Sequence, residues 1–168
     1  MTDVRLRKRH RLRQKEIRAI ASEIDRVLGV QSFDENAIID MAETLGFEIV
    51  IIDSKVLAFT VEGHPFLTVR GLLRYPATKR FVTVDMGAVK FVANGADVMG
   101  PGIVDCDREI AEGELVWIRD VTHLKPLAVG RAIVAAPRMM LKEKGKAVAS
   151  VHHVGDKLWA LDEPKPES

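Results

Sequence analysis

The apolar pattern of this 168-residue chain changes character around Pro76, and a sequence broken in that way folds as two kinds of layer. Upstream, Ile17, Ile20, Ala21, Ile24, Val27 and Leu28 fall at helical spacing and predict a helix with one buried stripe, ending at Gly29. Ser32 and Glu35 make a capping-box pattern ahead of Ile38, Met41, Ala42 and Leu45, which predicts a second helix stopped by Gly46. Three runs rich in branched and aromatic residues follow: Phe47 to Ile52, Val56 to Val61 and Pro65 to Val69. Asp53-Ser54-Lys55 and Glu62-Gly63-His64 separate them. The expected product is a small antiparallel sheet with both helices packed on it. A short segment through Leu72, Leu73 and Tyr75 ends at Pro76.

Downstream of the break, Phe81 to Val84 reads as a strand and Asp85 as the N-cap of a helix through Ala88, Val89, Phe91 and Val92 that stops at Asn94-Gly95. Gly100-Pro101-Gly102 marks a tight turn. Further strands are predicted at Leu115 to Ile118, Leu127 to Val134, Ala147 to His152 and Leu158 to Leu161, with a helical turn after Pro137. Many short strands with glycine turns predict a small barrel. The fold class is therefore α+β: a small α/β domain over residues 1–77, a β barrel over residues 78–162, and a Pro-rich polar tail at residues 163–168 that is expected to fray.

Hydrophobic residues make up 47% of the chain, which excludes a disordered protein. No apolar run approaches the roughly 20 residues of a membrane helix, and the Arg-rich start lacks the apolar segment of a secretory signal. A cytoplasmic location away from any membrane is expected. One cysteine cannot form an internal disulfide, and no pairing of Cys and His has zinc spacing, so neither metal nor cofactor is expected. Aromatic content of 5% argues against a wall of stacked rings for nucleic acid, leaving shape and phosphate contacts.

The near-neutral total, 25 basic against 24 acidic residues, hides a polarised distribution. Arg5, Arg7, Lys8, Arg9, Arg11, Arg13, Lys15 and Arg18 face only Asp3 and Glu16, so the first 18 residues carry +6, while residues 19–77 carry −5. Such a run is either a solvated helix start or a phosphate-binding arm. Arginine predominates in it, and the guanidinium fork matches phosphate better than an ammonium does. As an arm lying before the apolar stripe, residues 1–13 should be separable from the fold.

No catalytic motif stands out. Cys106 sits between Asp105 and Asp107, whose charge disfavours the thiolate, so it reads as structural. Asp85 is explained as a cap. His152 and His153 are adjacent, so on a strand they point to opposite faces, one buried and one exposed. His64 and His123 read as surface residues. In the stretch from Gly95 to Gly102, three glycines either admit a ligand's phosphate or sugar to the backbone, with Lys90 supplying charge, or serve as tight turns.

Four blocks in order, Phe81 to Ile103, Leu127-Ala-Val-Gly130-Arg131-Ala, Lys144-Gly-Lys-Ala-Val and His153-Val-Gly155-Asp156-Lys-Leu-Trp159, resemble the PUA domain, named for pseudouridine synthases and archaeosine transglycosylases. The upstream block Leu67-Thr-Val-Arg70-Gly-Leu-Leu-Arg74-Tyr75-Pro76 resembles the malignant T-cell-amplified protein family, in an archaeal form. The resemblance implies a pre-PUA α/β domain followed by a PUA-type pseudobarrel, and a non-enzymatic protein that binds structured RNA, ribosomal or transfer, near the small ribosomal subunit. A protein partner is left open. Lys90, Gly95, Gly100, Gly102, Arg131, His153 and Lys157 are the implied RNA contacts, with Gly102 the more fold-critical glycine; charge adds Arg7, Arg9, Arg11 and Arg13. The alternative is an RNA-modification protein, or the RNA-docking subunit of one. About 77 upstream residues are too few for the catalytic domains of those enzymes.

Overall fold

The computed structural model describes residues 5–162, and the tail expected at residues 163–168 lies outside the described residues. The first sheet is antiparallel, in the order β1 (Arg7–Arg11), β2 (Ile39–Thr44), β3 (Phe47–Ile52), β4 (Lys55–Val61) and β5 (His64–Leu67). Three two-residue turns drive its meander: Leu45-Gly46, Asp53-Ser54 and Glu62-Gly63 all have positive φ at both positions, as type I′ hairpins require. Helix α1 (Gln14–Leu28) lays Ile17, Ala21, Ile24 and Leu28 on this sheet, and Gly29 ends it in the left-handed conformation.

The predicted second helix does not form. Its residues are β2, and Gly46, read as a helix stop, is half of a hairpin turn. Ile39, Ala42 and Thr44 are buried while Ile38 is 68% exposed, so the helical spacing of Ile38, Met41, Ala42 and Leu45 is coincidental. Glu35 makes no capping box either; it pairs with Arg18 at 2.7 Å, and the Ser32 amide donates to Asp25. The short segment before Pro76 is α2 (Val69–Arg74), capped by Thr68, whose hydroxyl accepts from the Gly71 amide and donates to the Val56 carbonyl.

The basic run divides between two elements: Arg7, Lys8, Arg9 and Arg11 lie on strand β1, while Arg13 caps α1 and Lys15 and Arg18 lie in its first turns. β1 pairs with β2, the Leu12 amide donates to Ile39, and Leu12 is 5% exposed, so the segment from Arg7 to Leu12 is part of the sheet and not a separable arm.

The second sheet has the order β7 (Val98–Met99), β11 (Lys146–His153), β10 (Pro126–Ala132), β9 (Leu115–Asp120), β6 (Phe81–Val84) and β8 (Ile103–Cys106). Only β6 and β9 run parallel, and the sheet curls into a nearly closed barrel filled by Val82, Val84, Val116, Ile118, Ala128 and Val148. Helix α3 (Met86–Val92) follows β6, and α4 (Ala136–Met139) is the predicted turn at Pro137. Leu158 to Leu161 is not a strand: Asp156 accepts from the Trp159 amide and starts α5 (Lys157–Ala160).

The outward face of the barrel, Leu115, Trp117 and Val129, joins Leu158 in the hydrophobic core of the first sheet. Polar links cross the same seam. His152, 1% exposed, accepts from the Val69 amide at Nε2 and donates from Nδ1 to Asp156, so its tautomer is set from both sides. Asp162 accepts from the Val56 amide and pairs with Arg70 at 2.8 Å, while the Arg70 guanidinium lies 3.8 Å from the centre of the Trp159 ring. Among the described residues no helix is long and apolar enough to cross a membrane.

Candidate nucleic-acid interface

Asp85 follows β6 and accepts from the Ala88 amide at 2.8 Å, which starts α3. Ala88, Val89 and Val92 face inward, and Lys90 and Phe91 face out. The chain then reverses at Gly95, whose φ is +96°. The His153 ring lies over this glycine so closely that a Cβ would stand 2.8 Å from Nε2. His153 donates from Nδ1 to the carbonyls of Ala93 and Val154, which anchors β11 to the end of α3. Beyond β7, Gly100–Gly102 forms one 3-10 turn, and the Gly102 carbonyl accepts from the Asp85 amide, tying the glycine loop back to the helix start.

Between helix and loop runs an open, mostly apolar groove of about 390 Å³ walled by Phe91, Val98, Met99 and Gly102. Phe91 is 57% exposed, Met86 50% and Met99 47%, an unusual set of large apolar side chains to leave in water beside one loop. Lys90 holds its ammonium 5.1 Å from the centre of the Phe91 ring and forms no ion pair among the described residues. Lys146 lines the groove and is held by Asp97 at 3.0 Å. The Asp97 carboxyl is lowered below its usual range, first by the Ser150 amide and then by Lys146.

The structure thus brings together Lys90, Gly95, Gly100, Gly102 and His153 around α3. Their roles divide differently from expectation. Gly100 is buried, and a Cβ on it would fall 2.0 Å from the Glu143 carbonyl oxygen, whereas one on Gly102 would meet only the Ala88 methyl at 3.3 Å. Gly100 is therefore the fold-critical glycine, and Gly102 the one open to the groove. Arg131 does not line the groove; it donates to the Gly113 carbonyl at 2.7 Å and lies 3.4 Å from Glu62 across the seam. Lys157 is exposed on α5, outside the groove lining. Arg7, Arg9 and Arg11 lie on β1, on the other sheet, and Arg13 at the start of α1. Arg9 and Arg11 share Asp40. Cys106 is buried, and burial, outweighing Arg108, pushes its thiol pKa up, which disfavours the thiolate.

Sequence reasoning missed Phe91, Met86, Met99 and Lys146. Phe91 was named only as one of the apolar residues of the predicted helix; Ala88, Val89 and Val92 complete the inward face without it, and a surplus aromatic on a short amphipathic helix is the signal that finds it.

The PUA-domain family model matches residues 80–154. The uncharacterized protein MJ1432 of Methanocaldococcus jannaschii is 39% identical across 92% of this chain and 96% of its own length. This chain belongs to the PUA-domain family. Translation machinery-associated protein 20 of Saccharomyces cerevisiae and malignant T-cell-amplified sequence 2 of Mus musculus are 28% and 31% identical over 64% and 68% of this PUA-domain protein, which spans 63% and 65% of their lengths. Among solved structures, a hypothetical protein of Pyrococcus horikoshii superposes with a TM-score of 0.80 at 31% identity, covering 92% of this chain and 99% of that one. The α3 helix, the glycine loop and β11 all lie within the PUA match, while β1 and the seam residues Val56, Val69 and Arg70 lie before it.

Proposed function

We propose that this protein binds structured RNA, ribosomal or transfer, and serves translation as a binding factor without catalysis of its own. The observation that carries the reading is the groove beside α3: Phe91 and Met99 offer a surface for an unstacked base, and unpaired Lys90 stands next to it for a phosphate. Gly102, with no side chain in the groove, leaves room for a sugar and backbone. The homology to a translation machinery-associated protein supports a setting in translation, which we place in the cytoplasm at the small ribosomal subunit. The groups best suited to chemistry are engaged elsewhere, Asp85 as a cap and Cys106 as a buried thiol.

Filter binding of ribosomal and transfer RNA to Phe91→Ala and Lys90→Met tests this. Stacking on an aromatic contributes about 1–3 kcal/mol per base, so Phe91→Ala should weaken binding about 5- to 150-fold with the melting temperature unmoved. Unchanged affinity in both variants would sink the proposal.

A further inference from the structure

A second cavity, about 240 Å³, lies where α1 and β5 of the first sheet meet β9 and β10 of the second. Its lining includes Val27, Phe66 and Leu115, which are apolar, and three guanidinium groups from distant parts of the chain: Arg26 from the end of α1, Arg80 from before β6, and Arg131 from β10. Arg80 is spoken for, by Glu114 at 2.6 Å and the Leu115 carbonyl at 3.1 Å. Arg131 is not. One terminal nitrogen donates to Gly113, but the other, shielded from solvent, has no hydrogen-bond partner, because Glu62 at 3.4 Å makes no hydrogen bond and is itself 78% exposed. Arg26 bonds Glu23, three residues back on its own helix, and also feels the charge of Glu114.

A shielded N–H on a cation with nothing to donate to is costly, and guanidinium forks are built for planar or tetrahedral oxyanions. The lining carboxylates Glu23 and Glu114, with Glu62 on the rim, balance the three arginines in charge, so it is the unmet donor of Arg131 that points to an anion. We propose that this junction cavity binds an oxyanion of the phosphate class, held by Arg26, Arg80 and Arg131. The volume lies below the roughly 300–1,000 Å³ of pockets that enclose a drug-sized ligand, so the site takes a phosphate group rather than a whole nucleotide. Since Arg26 belongs to one sheet's helix and Arg131 to the other sheet, the anion ties the two together.

The phosphate has two possible sources, an RNA backbone, in which case the site rests on the proposed RNA binding, or a free anion, in which case it does not. The test is titration of the full chain with inorganic phosphate at ionic strength held constant with chloride, read from the arginine Nε–Hε resonances. Saturable shifts are expected at Arg26, Arg80 and Arg131. Arg26→Met, whose side chain is 68% exposed and bonded only to Glu23, keeps the fold and should weaken phosphate binding about tenfold. Glu23→Gln, which removes a competing carboxylate, should tighten it severalfold. Shifts that never saturate, or equal affinity in Arg26→Met and the unaltered protein, overturn the site. If phosphate also competes with RNA and Arg26→Met weakens RNA, the backbone is the source; saturable phosphate binding with RNA affinity untouched identifies a free anion. The Phe91→Ala measurement reports on the groove alone, so its failure and that of the junction site are separate results.

Discussion

The seam between the two sheets and the groove beside α3 are built from neighbouring residues of β11, yet they treat the same chemical groups in opposite ways. His152 points into the seam, where both ring nitrogens have protein partners and the ring packs edge-on against Phe59. His153 points the other way and lies over Gly95 at the groove's edge. Gly100 and Gly102 divide likewise, one jammed against the Glu143 backbone and the other beside the open surface. Around His152 charge is matched within the seam, Arg70 with Asp162, while beside α3 Lys90 and three large apolar side chains are left to solvent. What is satisfied internally holds the molecule together; what is left unsatisfied in the open is available to a ligand.

The comparison breaks most sharply at Arg70. The Asp162 side chain is 2% exposed, and removing one partner of a buried pair costs about 3–5 kcal/mol. Arg70→Met should therefore lower the urea midpoint more than any groove substitution, with a cost toward the low end because Arg70 itself is 21% exposed and the Val56 amide remains as a donor. Burial, which outweighs that amide and Arg70, already raises the Asp162 carboxyl above its ordinary value. A raised carboxyl binds its proton more tightly when folded, so part of the loss should be recovered as the pH falls and Asp162 protonates. A variant as stable as the unaltered protein would mean the seam is held by apolar contact alone.

Gly100→Ala comes next. Its Cβ would stand 2.0 Å from a backbone oxygen, so β7 or the loop through Glu143 must move, at about 1–3 kcal/mol, whereas Gly102→Ala should leave stability nearly unchanged. Equal denaturation midpoints for the two would erase the distinction drawn between these glycines.

The seam and the groove were not equally legible in the amino-acid order. α1, the strands β3 and β4, the Asp85 cap and the barrel were read correctly because local pattern and tertiary role agree there. β2 was misread because Ile38, Met41, Ala42 and Leu45 imitate a helical stripe, and only the pairing of Ile39 to Thr44 with β3 decides between strand and helix. α5 was misread for a related reason: four residues show no period, and the Asp156 cap that starts them was the one available cue. Arg131 was assigned to RNA on family likeness, whereas its location in the seam depends on Glu62 and Gly113, distant in sequence. Adjacency told us that the two histidines diverge, but not which one the second sheet would share with the first.

Asp156 gives a pH-dependent test of the seam. Burial opposes ionisation, but the His152 ring and the amides of His153 and Trp159 overcome it and hold the carboxyl below its ordinary value. A depressed folded-state value stabilises the fold above the unfolded value and is lost as the pH drops through the folded one. Asp156→Asn should thus cost about 1.5–3 kcal/mol at neutral pH, the range for a hydrogen bond to a charged group, and progressively less below about pH 4. A cost that stays constant down to acid pH would show that the carboxylate's charge contributes nothing.

The smallest effect concerns β1, which shares features of both regions: its backbone is locked into the sheet, and its side chains are exposed. Deleting residues 1–13 cannot isolate the charge, because it removes Leu12 from the core and unpairs β2. Substitution does isolate it. Arg9 and Arg11 are already held by Asp40 and Lys8 faces Glu43 at 3.7 Å, whereas Arg7 has no such partner among the described residues. If RNA reaches this edge, Arg7→Gln should make the log–log salt dependence shallower by about 0.9, the value of one duplex phosphate, and Arg9→Gln by less, since Asp40 competes for it. Discrimination among RNAs should stay constant, because phosphate contacts position without reading bases. An unchanged slope in Arg7→Gln would confine RNA to the barrel and leave β1 as an edge strand whose charges keep other strands from pairing with it.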